Sequence, residues 1–88
     1  MTNIFYGKVN TKGEYKDLSA VTEISVVSDT VYLLQPQGVI SLYVGSSLPE
    51  EGGFLIFNNN ITRFKLNAGE KIYIKTYNDN GVYINLAS

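Results

Sequence analysis

The chain has 88 residues, of which 44% are apolar and 17% charged, with seven Lys+Arg against eight Asp+Glu for a net charge of −1. It contains no His, Cys or Trp, which excludes disulfide frameworks, Cys/His zinc sites, Ser-His-Asp triads and cysteine nucleophiles. The near-neutral balance argues against nucleic acid as a partner, because phosphate binding takes a dense positive field.

No membrane partner is expected either. The longest mostly apolar run, Val39 to Val44, is far short of the about 20 residues that a spanning helix needs. The start, Met-Thr-Asn-Ile-Phe-Tyr-Gly-Lys, lacks the basic segment and long apolar run of a secretory leader. Gly and Pro are scattered singly, so residues 1–88 are read as one domain.

Apolar residues recur with a period of two, the mark of half-buried strands. In chain order, the windows with strand character are 3–9, 14–18, 21–27, 30–35, 39–45, 53–58, 61–66, 70–77 and 81–86. Ile72 and Ile74 alternate with Lys71, Tyr73 and Lys75, and Val82, Ile84 and Leu86 alternate with Tyr83 and Asn85. No window offers a capped helix of ten residues. The implied fold is all-β: an antiparallel two-sheet β-sandwich of jelly-roll type, with about eight short strands and no significant helix.

Three turns share glycine at the fourth position: Asn10-Thr11-Lys12-Gly13, Gln35-Pro36-Gln37-Gly38 and Asn78-Asp79-Asn80-Gly81. Each suits a type I turn followed by a left-handed glycine, the three-residue hairpin loop. Hairpins on these loops pair Tyr77 with Tyr83, Ile74 with Leu86, Leu34 with Ile40 and Tyr32 with Leu42. A loop at Asn58–Asn60 pairs Phe54 with Phe64 and Ile56 with Thr62. The expected core is Tyr32, Leu34, Ile40, Leu42, Val44, Phe54, Ile56, Phe64, Leu66, Ile72, Ile74, Val82, Ile84 and Leu86.

Chemistry-bearing candidates are few. Glu50-Glu51 is the only adjacent acidic pair, and it reads as solvated loop acids. Asn78-Asp79-Asn80-Gly81 lacks the spacing and closing Glu of a calcium loop. Gly45-Ser46-Ser47 and Gly52-Gly53 lack the helix and Lys-Ser/Thr pair of a phosphate cradle. No catalytic residue, metal site or cofactor is expected, and the chain is not read as an enzyme.

The outward residues are more informative. Tyr73, Tyr77 and Tyr83 fall opposite the core face, beside Lys71 and Lys75. Such a ladder can stack on sugars, anchor a protein, or simply pair across strands. Two more outward rows are apolar: Val31, Leu33, Val39 and Tyr43, then Leu55, Phe57 and Ile61. The candidate interface residues are therefore Leu33, Tyr43, Leu55, Phe57, Tyr73, Tyr77 and Tyr83.

Three residue runs carry a resemblance. They are Val31-Tyr32-Leu33-Leu34-Gln35, then Leu48-Pro49-Glu50-Glu51-Gly52-Gly53-Phe54-Leu55-Ile56, then Leu66-Asn67-Ala68-Gly69-Glu70-Lys71-Ile72-Tyr73-Ile74-Lys75. In this order they are similar to small all-β virion structural proteins of tailed bacteriophages. The similarity covers residues 20–88 and leaves the first twenty outside. It implies a capsid decoration, head-fibre or tail accessory protein located in the virion. Such a protein acts as a homo-oligomer, such as a trimer, that docks onto other capsid or tail proteins, and it has no catalytic residues to carry over. The alternative reading is a carbohydrate-binding β-sandwich module that uses Tyr73, Tyr77 and Tyr83.

Overall fold

Period-two alternation gives each strand one apolar face, and two such faces must meet to exclude water. The computed structural model, which describes residues 2–88, meets this demand with eight strands and one short helix. They are β1 (Asn3–Val9), β2 (Lys16–Asp17), α1 (Leu18–Thr22), β3 (Thr30–Gln37), β4 (Ile40–Gly45), β5 (Phe54–Ile56), β6 (Thr62–Leu66), β7 (Lys71–Thr76) and β8 (Val82–Ala87). One sheet has the order β1-β8-β3-β6 and the other β2-β7-β4-β5. All the pairings are antiparallel. This is the double Greek-key wrap of a jelly roll, so the expected two-sheet β-sandwich is the observed fold.

The expected hairpins do not form. Only β4 and β5 are neighbours both in sequence and in a sheet. Leu34 pairs with Thr62 and Leu86 rather than with Ile40. Ile74 pairs with Leu42 and Lys16 rather than with Leu86, and Tyr83 pairs with Lys8 and Gln37 rather than with Tyr77. Phe54 pairs with Leu42 and Phe64 with Tyr32, not with each other. One turn is as read, since the Gly81 amide donates to the Asn78 carbonyl at 2.9 Å and Gly81 has φ of 86°; the first closes one residue later, from the Glu14 amide to the Thr11 carbonyl, and Gln35–Gln37 belong to β3. But each turn carries the chain across from one sheet to the other. A crossing and a hairpin both keep apolar residues pointing inward, so alternation does not distinguish them.

Two other expectations change. The strand expected over 14–18 contracts to Lys16–Asp17, and that expected over 21–27 is replaced by α1 and an irregular segment. Asp17 caps α1: its side chain accepts from the Ser19 amide at 3.0 Å, and Glu23 ends the helix in the left-handed conformation. Pro36 is not in a turn but buried within β3. Its carbonyl accepts from the Asn59 amide at 2.8 Å. Its missing N–H therefore faces beyond the start of β6 and removes no ladder bond.

The core is close to the expected one. Tyr32, Leu34, Ile40, Leu42, Ile56, Leu66, Ile72, Ile74, Val82, Ile84 and Leu86 are buried, joined by Val9 and Leu18. Val44 and Phe64 are only partly buried against it, and Phe54 is 78% exposed.

At one end the two sheets are tied by a buried threonine pair. Thr11 follows β1, whereas Thr76 closes β7 in the opposite sheet. The Thr11 amide donates to Thr76 Oγ1 at 3.0 Å, and the Thr76 amide donates to Thr11 Oγ1 at 2.8 Å. Thr76→Val keeps the shape but leaves the Thr11 amide buried without its acceptor. It should lower stability by about 1–3 kcal/mol in urea melts, and a loss near zero would refute this tie.

Candidate functional site

A two-sheet sandwich has two lateral flanks, each exposing a pair of edge strands. The flanks here are unequal. On the β1–β2 side, α1 packs against β1, β2 and β7 and sinks Leu18 fully into the core. On the other side β5 and β6 end their sheets with nothing beyond them.

The open flank is apolar. Between its two edges runs a groove of about 490 Å3, lined by Leu42, Tyr43, Val44, Gly53, Phe54, Thr62, Arg63 and Phe64. Pairing with Leu42 aims Phe54 toward the groove, but β5 has only three residues and cannot close over it. Leu55, Phe57 and Ile61 are 56–63% exposed nearby, Leu55 on the outer face of its sheet opposite Ser41 and Ile61 at a dip on the outer face of the other sheet. Charges stand on both sides. Glu50 and Glu51 are exposed just before β5, while Arg63 and Lys65 are exposed on the outer face of β6. Among the described residues the one ion pair within 4.0 Å is Lys71–Asp17 at 3.9 Å, so these four charges have no such partner in the same copy.

The sequence-derived candidates fall in three places. Leu55 and Phe57 lie on the open flank. Tyr43, Tyr73 and Tyr77 share the outer face of the β2-β7-β4-β5 sheet. There Tyr73 is only 5% exposed and packs against Tyr43, with ring centroids 6.3 Å apart. Tyr15 packs edge-on against Tyr43, and its hydroxyl donates to the Gly52 carbonyl. Lys75 Nζ sits 4.9 Å from the Tyr15 ring centroid and 5.5 Å from that of Tyr77. The Tyr77 hydroxyl is 2.5 Å from Ser41 Oγ. Tyr83 lies on the outer face of the other sheet, stacked on Tyr6 at 5.7 Å. Leu33 is on that face too, half-buried in a shallow dip with Gln35, Ile61, Asn85 and Ala87.

Tyr73, Tyr77 and Tyr83 thus do not form one platform. The expected Tyr77–Tyr83 pair depended on a β7–β8 hairpin, and the crossing to the other sheet sends the rings to opposite sides. Tyr83 instead keeps Tyr6 as its exposed neighbour on one face, and on the other Tyr77 stands 49% exposed beside a depression of about 400 Å3 shared with Lys12, Gly13, Asn78 and Asp79. Sequence reasoning missed Phe54 and Arg63 as flank residues. One signal existed: Gly52-Gly53 and Asn58-Asn59-Asn60 leave little room for a strand between them. Tyr15 had no such signal, since its contacts depend on which strands become neighbours.

Comparison with known proteins finds no matching family model, no similar curated protein and no similar solved structure. The similarity to phage virion proteins therefore rests on the three residue runs alone.

The loop entering the open flank is held by Gly53. Its φ is +89°, and a Cβ there would meet the Leu42 carbonyl oxygen at 2.7 Å and also the Tyr15 hydroxyl. Gly69 shares a positive φ of +80° but has open space around it. Gly53→Ala should therefore lower stability by about 2–4 kcal/mol and Gly69→Ala by about 1 kcal/mol in denaturant melts. Equal losses would show that Gly53 answers only to its backbone angle.

Proposed function

We propose that this chain is a non-enzymatic virion structural protein of a tailed bacteriophage, of the capsid decoration, head-fibre or tail accessory type. It works by self-association and by docking onto other capsid or tail proteins. The observation that carries the reading is the open flank, where Phe54 stands exposed in an apolar groove and Leu55, Phe57 and Ile61 are exposed on and between the two edge strands. Contiguous apolar surface beside uncovered sheet edges marks a contact site on a small domain. The three residue runs support the virion placement. The jelly-roll wrap agrees with it, since viral capsid proteins use this architecture, but lectins and cupins use it too.

The mechanism is passive. Association removes apolar side chains from water at about 25 cal/mol per Å2, and the surrounding charges select the orientation. No bond is made or broken.

A glycan-binding module is the second reading, favoured by the depression at Tyr77. There a half-exposed ring lies beside Lys12, Asn78 and Asp79, the pairing of aromatic face and polar groups that sugars need. Lys75 stands over the same ring at 5.5 Å, which competes with stacking.

In light scattering the protein should have an oligomer mass. Leu55→Asp combined with Phe57→Asp should reduce it to the monomer mass with an unchanged cooperative melt. A strict monomer at high concentration that also fails to bind purified capsid and tail proteins would overturn the virion reading. For the glycan reading, an array should give hits that Tyr77→Ala abolishes, and a blank array would dismiss it.

A further inference from the structure

The open flank holds two free edges, and they differ in character. β6 carries Arg63 and Lys65 on its outer face, and such charges protect an edge against pairing with its own kind. β5 is bare: residues 53–62, Gly-Phe-Leu-Ile-Phe-Asn-Asn-Asn-Ile-Thr, contain no charged residue. The nearest charges on its side are Glu50 and Glu51, exposed at its N-terminal end. One flank therefore presents a basic strand edge and an uncharged edge with an acidic approach, about one sheet spacing, ~10 Å, apart.

We infer that this flank binds a second copy of the same chain about a two-fold axis parallel to the strands, so that β6 of each copy pairs antiparallel with β5 of the other. This rests on the self-association part of the proposed function and names its geometry. The strand directions allow it. β3 and β4 reverse across the two-residue link Gly38-Val39, and β5 and β6 run antiparallel to β4 and β3 respectively, so β5 and β6 oppose each other. A two-fold along the strands preserves those directions and sets β6 against the partner's β5. Each sheet then continues into a sheet of the other copy, with the outer faces aligned. The groove and the inward-facing Phe54 are enclosed between the copies.

Charge selects this arrangement over the other closed one. A two-fold perpendicular to the strands would pair β6 with β6. Arg63 and Lys65 would then face their own copies, and like charges directly opposite are destabilising. In the β6–β5 arrangement the N-terminal end of β5, with Glu50 and Glu51, meets the C-terminal half of β6, with Lys65. Lys65 gains Glu50 and Glu51 as opposite neighbours, and Arg63 extends over the uncharged strand. Both edges lie on one flank, so a single neighbour covers both. A trimer or larger ring would need them on separate surfaces.

Charge-reversal complementation tests this by sedimentation equilibrium. One variant carries Arg63→Glu and Lys65→Glu, the other Glu50→Lys and Glu51→Lys. All four positions are exposed, and unchanged melting curves confirm folding. The wild type should be a dimer. Each variant alone should dimerise about tenfold more weakly or worse, and an equimolar mixture should recover wild-type affinity as a heterodimer. If Glu50→Lys/Glu51→Lys alone dimerises like the wild type, the β6–β5 pairing is wrong. Dimers insensitive to both reversals, or a wild-type trimer, likewise overturn it while self-association stands. A monomeric wild type removes the inference together with self-association, leaving only docking onto other virion proteins.

Discussion

The layer between the two sheets must stay dry, and each sheet of four strands leaves two edges where water can enter. Closing those edges is the constraint on which the rest of the molecule depends. On one side it is met within the chain. Asp17 caps a five-residue helix that turns Leu18 into the core beside β1 and β2. On the other side β5 is too short, and Phe54 is left in the mouth of the sandwich at 78% exposure. An inward-facing phenylalanine in water is a strong imbalance in an otherwise well-satisfied structure. Every buried side-chain polar atom among the described residues has a hydrogen-bond partner. The unmet need is thus apolar and local, and it is this that the proposed protein contact would meet.

The tyrosines are distributed by the same logic. On the outer face of the β2-β7-β4-β5 sheet they lie against one another and under Lys75, so Tyr15 and Tyr73 are nearly as buried as the core. The face becomes a second, thinner apolar layer with polar ends. It holds the loop before β5 through the Tyr15 bond to Gly52, and it thereby sets the position of the open flank. This face reads as architecture. The exposed edge strands beside the flank offer backbone groups that the tyrosine face lacks.

Charge acts as the discriminating term. Apolar area favours covering the flank but is indifferent to orientation. Lysine and arginine along β6 guard that edge against its own copy, while the bare β5 edge has no comparable guard. An edge protected against one partner and open to another is the asymmetry on which the proposed pairing of copies rests.

The residues alone determined the class of the fold and most of its interior. Period-two alternation decides which side chains face inward whichever strands are neighbours, so Leu34, Ile40, Ile74 and Ile84 were legible as core. Glycine positions decided where the chain bends, as at Gly81 with φ of 86°. Neighbour identity was not legible, because a crossing between sheets and a hairpin within one satisfy the same alternation and the same turn chemistry. Tertiary structure therefore decided that Tyr77 and Tyr83 lie on opposite faces, that residues 18–22 coil into a helix, and that β5 and β6 share an unsealed flank. These are properties of how two sheets stack and wrap, set by contacts between residues far apart in the chain, which no local pattern of side chains encodes.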